Sequence, residues 1–304
     1  MESEKCRVLL CAIDKGSITA AAEAMGYTIS GVSRMMAALE AEVGFPLLRR
    51  SREGVTPTNE CCRLLPSFRE MVAQAEQCRQ IAGEVRGLVS GTVAIGTFSS
   101  VATHWLPNMI GAFQKDYPNI DFDILMGTYP EIEQWVMQGR ADCGFLHLPT
   151  RADLKTVCLA QDELMAVLPE DHPLAALEKI PASALAEQPF ILLDKAGERD
   201  RDVMQVFERA GIVPKVRFTT LDDYAVMSMV EHGLGVSILP KLILRRIPYR
   251  VALRPLEQPV FRQIGLATRL GEELSPAAKR FLSYLPYRDG DTSVSYTHLT
   301  LPTN

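Results

Sequence analysis

The stretch Gly16-Ser17-Ile18-Thr19-Ala20-Ala21-Ala22-Glu23-Ala24-Met25-Gly26-Tyr27-Thr28-Ile29-Ser30-Gly31-Val32-Ser33-Arg34 decides the architecture of the chain. Gly16 stops a helix running from about Glu4 to Lys15, with Val8, Leu9, Ala12 and Ile13 on one face. Ser17 or Thr19 can cap the next helix, in which Ile18, Ala21, Ala22 and Met25 recur at helical spacing. Gly26-Tyr27 turns the chain, and Thr28 caps a third helix with Val32, Met35, Met36, Leu39 and Val43 inward, ended by Gly44. Two short helices joined by a glycine-containing turn predict a helix-turn-helix.

Outward from that core, Phe45 to Pro57 reads as a hairpin with Glu53-Gly54 near its tip and the basic residues Arg49, Arg50 and Arg52. A basic hairpin in this place predicts a wing. From Cys61 one long helix carries Cys61, Leu64, Phe68, Met71, Ala75, Cys78, Ala82, Val85 and Val89 at steps of three and four. Leu64, Phe68, Met71, Ala75, Cys78 and Ala82 are therefore candidates for a dimer seam; the alternative is a helix packed on its own domain. After the joint at Gly87–Gly91, strands alternate with helices: strands near 92–96, 122–126, 143–146, 164–168, 190–193, 216–219, 236–239 and 263–269, with helices between them. That alternation predicts an α/β, mainly parallel, doubly wound fold in two small lobes with a ligand cleft between them.

The 304 residues fit two or three domains, and 47% hydrophobic with 23% charged residues is ordinary globular composition. The net charge of -5 says little, because local clustering of Arg and Lys matters for nucleic acid. No apolar run is long enough to span a bilayer, and the charged start lacks a secretory signal, so no membrane partner and a cytoplasmic location are expected. The seven cysteines show no zinc or redox spacing and read as reduced, small apolar residues. The five histidines are isolated, no phosphate loop or nucleophile elbow is present, and Asp222-Asp223 reads as a helix cap with an exposed neighbour. Neither catalytic residues, a metal nor a cofactor is expected. The polar stretch from about Asp289 to Asn304 reads as a disordered or artefactual tail.

Taken in order, Gly16–Ala22, Ser30-Gly31-Val32-Ser33-Arg34, Leu39–Leu48 and Val55-Thr56-Pro57-Thr58 resemble the LysR-type transcriptional regulators over about residues 4–288. Gly139-Arg140-Ala141-Asp142-Cys143-Gly144 and Val230–Pro240 extend the likeness. The resemblance implies a winged helix-turn-helix over 1–58, a linker and dimerisation helix over 59–90, and a two-lobed effector domain over 91–288 of the periplasmic-binding-protein-like (type 2) kind. Lobe I would comprise 91–162 with 264–288, and lobe II 163–263. A homodimer or homotetramer on a pseudo-palindromic double-stranded operator follows, with RNA polymerase as a further partner. The runner-up reading is a solute-binding protein of the same two-lobed fold that does not bind DNA. Departures occur at Ile29, where the family usually has Gln, at Arg49, where an aromatic is common, and at Asn59-Glu60 after the wing.

The DNA contacts expected are Ser17, Thr19, Thr28, Ile29, Ser30, Ser33 and Arg34, with Arg49, Arg50 and Arg52 on phosphates or in the minor groove. Arg34 can present two donors to guanine, and Ile29 can touch a thymine methyl. Thr28 as a cap alone and Ile29 as core alone are the competing readings. In the sensor, Thr97-Phe98-Ser99-Ser100 follows a strand and opens a helix, an amide-rich anion site. By resemblance Ser99, Ser100 and Thr128 line the pocket, with Phe145, His147 and Asp194-Lys195-Ala196-Gly197 as further candidates. The expected effector is a carboxylate-bearing metabolite.

Overall fold

The computed structural model describes residues 2–51, 54–85, 91–150, 153–193 and 201–290. The N-terminal unit is α1 (Ser3–Lys15), α2 (Ile18–Met25), α3 (Ile29–Val43) and the hairpin β1 (Leu48–Ser51) with β2 (Gly54–Pro57). Gly16, Gly26 and Gly44 end the three helices in the left-handed conformation, and the Ser17 and Thr28 hydroxyls accept from the amides of Ala20 and Gly31. Val8, Leu9, Ala12, Ala21, Val32, Met36, Leu39 and Leu47 close the core. The hairpin is clipped to the first turn by the Val55 amide donating to the Gly16 carbonyl at 2.9 Å. A Cβ on Gly54 would lie 2.3 Å from that carbonyl oxygen, so the position requires glycine.

The long helix α4 (Asn59–Val85) begins where Thr58 caps it. Its stripe splits. Phe68 is 1% exposed and belongs to the N-terminal core, against which Leu64 and Met71 also pack, whereas Cys78 and Ala82 are exposed. Leu64, Phe68 and Met71 are thus committed within their own chain, because α4 must cover the apolar back of α1. Only the distal part of the stripe faces outward.

The remaining elements are β3 (Gly91–Thr97), α5 (Ser99–His104), α6 (Leu106–Asp116), β4 (Ile120–Met126), α7 (Tyr129–Met137), β5 (Cys143–Leu148) and β6 (Leu154–Pro169). After a 3-10 turn (Pro173–Ala176) come α8 (Ala182–Ala186), β7 (Pro189–Leu193), α9 (Arg201–Arg209), β8 (Lys215–Thr220) and α10 (Asp223–Glu231). The last are β9 (Ser237–Pro240), β10 (Val251–Pro255), β11 (Phe261–Arg269), α11 (Pro276–Leu282) and a 3-10 turn (Leu285–Asp289). The main sheet runs β10-β6-β11-β5-β3-β4, with β9 also on β6, and β7 pairs β8 separately.

The sheet is mixed rather than mainly parallel. β3 pairs in parallel with β4 and β5, and β7 with β8, but β11 and β6 make only antiparallel pairs. The reason is topological: β6 carries the chain out of the first lobe and β11 brings it back alongside. β6 pairs with β11 as far as Glu163 and then, from Leu164, with β9 and β10 of the second lobe. Phe113, Phe145 and Phe281 centre one core, and two cores built on Phe207 and on Met227 fill the other lobe. At the C-terminal end, Arg245 pairs with Asp289 at 3.0 Å and Arg288 lies over Trp105, so the packed chain extends to Gly290, beyond the expected start of the tail. Residues 291–304 lie outside the described residues.

Candidate DNA-reading face and ligand cleft

The start of α3 is the exposed end of the helix-turn-helix. Thr28, Ser30 and Arg34 are exposed, Ile29 is 52% exposed, and Ser33 is half-buried. Exposure rules out Ile29 as core. Thr28 does cap the helix, and its hydroxyl also lies 3.2 Å from that of Ser30. Arg34 Nε reaches the Ser30 carbonyl at 3.4 Å, which leaves the outer guanidinium nitrogens facing solvent. Thr19 is exposed, and Ser17 is engaged as a cap. On the hairpin Arg49 and Arg50 are exposed and, as adjacent strand residues, project to opposite faces. Arg52 lies outside the described residues.

Two other cations of this unit are taken up internally. Lys5 pairs with Glu42 at 2.6 Å and Arg7 with Glu4 at 2.7 Å. Glu40 accepts from the Leu47 and Leu48 amides at 2.7 and 3.2 Å, so a carboxylate on α3 holds the wing strand in place. Among the described residues no ion pair engages Arg34, Arg49 or Arg50. Free cations beside the exposed start of a helix suit a polyanionic duplex.

Between the two lobes lies a cleft lined by Phe98, Ser99, Ser100 and Tyr129 from one side and Leu193, Asp202, Val203 and Asp223 from the other. Its cavity measures about 20 Å³, room for roughly one water. At its base Arg262 is 7% exposed. Its Nε and Nη2 donate to Asp162 Oδ2 at 2.9 and 2.7 Å, Nη2 to Ser100 Oγ at 2.7 Å, and Nη1 to the Tyr129 hydroxyl at 3.2 Å. The guanidinium also lies 5.0 Å from the Phe98 ring centre. Burial opposes its charge, but Tyr129, Asp162 and Asp223 around it more than offset that and hold it protonated. Across the cleft His147 Nε2 meets Asp202 Oδ2 at 2.9 Å, a contact that joins the lobes.

Ser99 and Ser100 line the cleft, and His147, on β5, meets the cleft at Asp202. Thr128 does not stand open to a ligand: its amide and hydroxyl both donate to Glu131 Oε2 at 2.7 Å. Phe145 is fully buried in the lobe core, edge-on to Trp105, and is not a wall of the cleft. Asp194-Lys195-Ala196-Gly197 lies outside the described residues. Asp222 is the cap expected, accepting from Tyr224 and Ala225, but Asp223 is 8% exposed and faces the cleft. The start of α5 at Ser99-Ser100 shares the cleft lining with Arg262 and with the carboxylates of Asp202 and Asp223.

Sequence reading missed Arg262, Asp162, Asp202, Asp223 and Tyr129, residues that meet only through the fold. Of the cysteines, Cys6, Cys61 and Cys143 are buried as expected, while Cys62, Cys78 and Cys158 are exposed. Burial pushes Cys61 up to about 11 and Cys143 upward too, which keeps both as thiols.

Residues 3–61 match the helix-turn-helix domain described as "Bacterial regulatory helix-turn-helix protein, lysR family", and residues 86–288 match the "LysR substrate binding domain". The chain belongs to the LysR family. Relatives agree: the uncharacterized HTH-type transcriptional regulator YvbU of Bacillus subtilis is 31% identical, over 93% of this chain and 97% of that protein. The probable HTH-type transcriptional regulator LrrA of Synechococcus elongatus is 32% identical over 94% and 96%. The fold matches full-length OxyR of Pseudomonas aeruginosa, solved as a variant, with a TM-score of 0.74 at 20% identity over 95% of this chain and 98% of that one. CbnR bound to its target DNA gives 0.68 at 22% identity over 94% and 99%. This LysR-type chain thus couples a DNA-binding helix-turn-helix to an effector-binding domain. No described helix is long and apolar enough to cross a membrane.

Proposed function

We propose that this protein is a transcription regulator whose Arg34, Ile29 and Ser30 read operator bases while Arg49, Arg50 and Arg52 hold the flanking backbone. A small molecule bound between the lobes modulates that binding. The observation that carries the reading is the exposed start of α3, where no ion pair engages Arg34 among the described residues, beside a basic wing and in one chain with a closed inter-lobe cleft. We assign 1–58 to DNA binding, 59–90 to the linker, and 91–288 to sensing. The distal face of α4, with Ala75, Cys78 and Ala82, supplies part of a homodimer seam, and pairs of dimers form a tetramer. Two-fold symmetry then demands a pseudo-palindromic operator. RNA polymerase is the partner of the DNA-bound assembly, the protein works in the cytoplasm, and it catalyses no reaction.

Effector control requires that the ligand bind two arrangements of the lobes with different affinity. The His147–Asp202 contact is a candidate for the element that differs between them. The test is fluorescence anisotropy of the full-length protein on the DNA upstream of its own gene, with salt varied. Binding that outcompetes random DNA and falls steeply with salt is expected; affinity equal to that for random DNA would return the chain to the solute-binding alternative.

A further inference from the structure

Away from the inter-lobe cleft, the second lobe holds a cavity of about 230 Å³. The two sites share no lining residue. This one lies between the loop leading into α8, the C-terminal end of α9 and the loop from β10 to β11. Its floor is aliphatic: Ile180, Val206, Leu256 and Val260 line it, are buried, and belong to the core built on Phe207. The floor is also fixed. The Ile180 amide donates to the Pro255 carbonyl and the Glu257 amide to the Ile180 carbonyl, both at 2.9 Å, while the Val260 carbonyl accepts from the Leu164 amide at 2.9 Å. These bonds tie the two loops together and set the rim before any guest arrives.

The rim carries one charge of each sign. Arg209, the last residue of α9, and Glu257 both line the cavity and are exposed. Among the described residues no ion pair engages either of them. Opposite charges that share a rim without pairing leave room for a guest that carries both. A hydrophobic acid would use Arg209 alone and a hydrophobic amine Glu257 alone, so each forgoes one charged contact. An apolar cavity of about 150 Å³ already holds a benzene-sized guest, so the space over the floor suits a compact hydrocarbon side chain.

We propose that this cavity is a second small-molecule site, selective for an α-amino acid with a branched aliphatic side chain. The carboxylate meets the two-pronged guanidinium of Arg209, and the ammonium meets Glu257. The side chain settles on Ile180, Val206, Leu256 and Val260. Such a guest bears on α9, whose other end carries Asp202 and Val203 into the inter-lobe cleft.

Calorimetric titration of the full-length protein with L-leucine, isocaproate and isoamylamine tests the proposal, because the last two are leucine without its ammonium and leucine without its carboxylate. L-Leucine should bind about ten-fold or more tightly than either fragment. Arg209→Gln and Glu257→Gln, both at exposed positions, should each weaken leucine binding about ten-fold or more and leave the melting temperature unchanged. Each variant should also erase one comparison: leucine and isocaproate should bind alike in Glu257→Gln, and leucine and isoamylamine alike in Arg209→Gln. No binding of leucine, binding no tighter than that of both fragments, or binding unmoved in both variants would overturn the proposal. The wild-type ranking stands even if a variant fails to fold. No DNA enters the titration, so its failure and that of the operator test are read separately.

Discussion

At the recognition helix Arg34 stands exposed with only a long contact to the Ser30 carbonyl, whereas in the cleft Arg262 is buried and its donors go to Asp162, Ser100 and Tyr129. The same side chain serves opposite ends. A DNA duplex brings its own uniform negative charge, so the head needs only unpaired cations held at the right height by a stiff frame. A small ligand must be told from many others, so the cleft needs its charges set and mutually satisfied before the ligand arrives. The head presents chemistry outward with little internal cost, and the cleft stores it inside a network in which each change moves its neighbours.

The largest effect that sharpens this contrast concerns the frame and not the contacts. Phe68→Ala removes a fully buried ring joining α4 to the N-terminal core and should cost about 3–5 kcal/mol of stability. Cys78→Asp, on the exposed distal stretch of the same helix, should leave thermal stability of the head unchanged while weakening self-association. Thermal melts paired with sedimentation read both; equal destabilisation by the two would break the division of α4 into a core-bound half and an outward half.

Next comes the reading face. Arg34→Ala should lower operator affinity by roughly 1–3 kcal/mol, with a smaller change on random DNA. Arg50→Ala should weaken both alike and reduce the slope of log affinity against log salt by about one. A uniform loss for Arg34→Ala would assign it to phosphate.

The smallest effect lies at the joint between the two regions. Arg69 bonds Gln138, and Asp14 approaches Arg140 at 3.8 Å, bringing the head and α4 against the first lobe. Behind them Asp142 accepts from the Ala94 amide at 2.7 Å. Burial pushes its carboxyl up to about 6, against the pull of that amide and of Arg269. A carboxyl whose folded value is raised above the ordinary 3.8 loses stability as pH rises between the two values, and the loss persists above the higher one. Asp142→Asn keeps the acceptor and removes the titration. It should flatten the melting profile between pH 4 and 7 and raise the neutral-pH midpoint by on the order of 2–4 °C. An unchanged pH profile would place the pH dependence elsewhere.

Much of the head was legible in the sequence because its rules are local. Gly16, Ser17, Gly26 and Thr28 terminate and cap within a few residues of where they act, and the capping amides appear as read. The division of α4 was not legible: Phe68 and Cys78 share one stripe, and only the packing of α1 tells them apart. The cleft was half legible. Ser99 and Ser100 follow a strand and could be placed, but Arg262 bonds Ser100 and Asp162 across 162 and 100 residues of chain. Asp223 reads in sequence as an exposed neighbour because only the tertiary fold carries the start of α10 to the other lobe.

One feature of the sheet has a mechanical meaning. The two strands on which the chain leaves and re-enters the first lobe, β6 and β11, are hydrogen-bonded neighbours, and Asp162 and Arg262 face each other across them. The lobes are therefore hung on a two-ply ribbon, not on two separate threads. The two plies are tied by Arg262, the same guanidinium that donates to Ser100. A guest that tugs on Ser100 would wind or unwind the suspension itself.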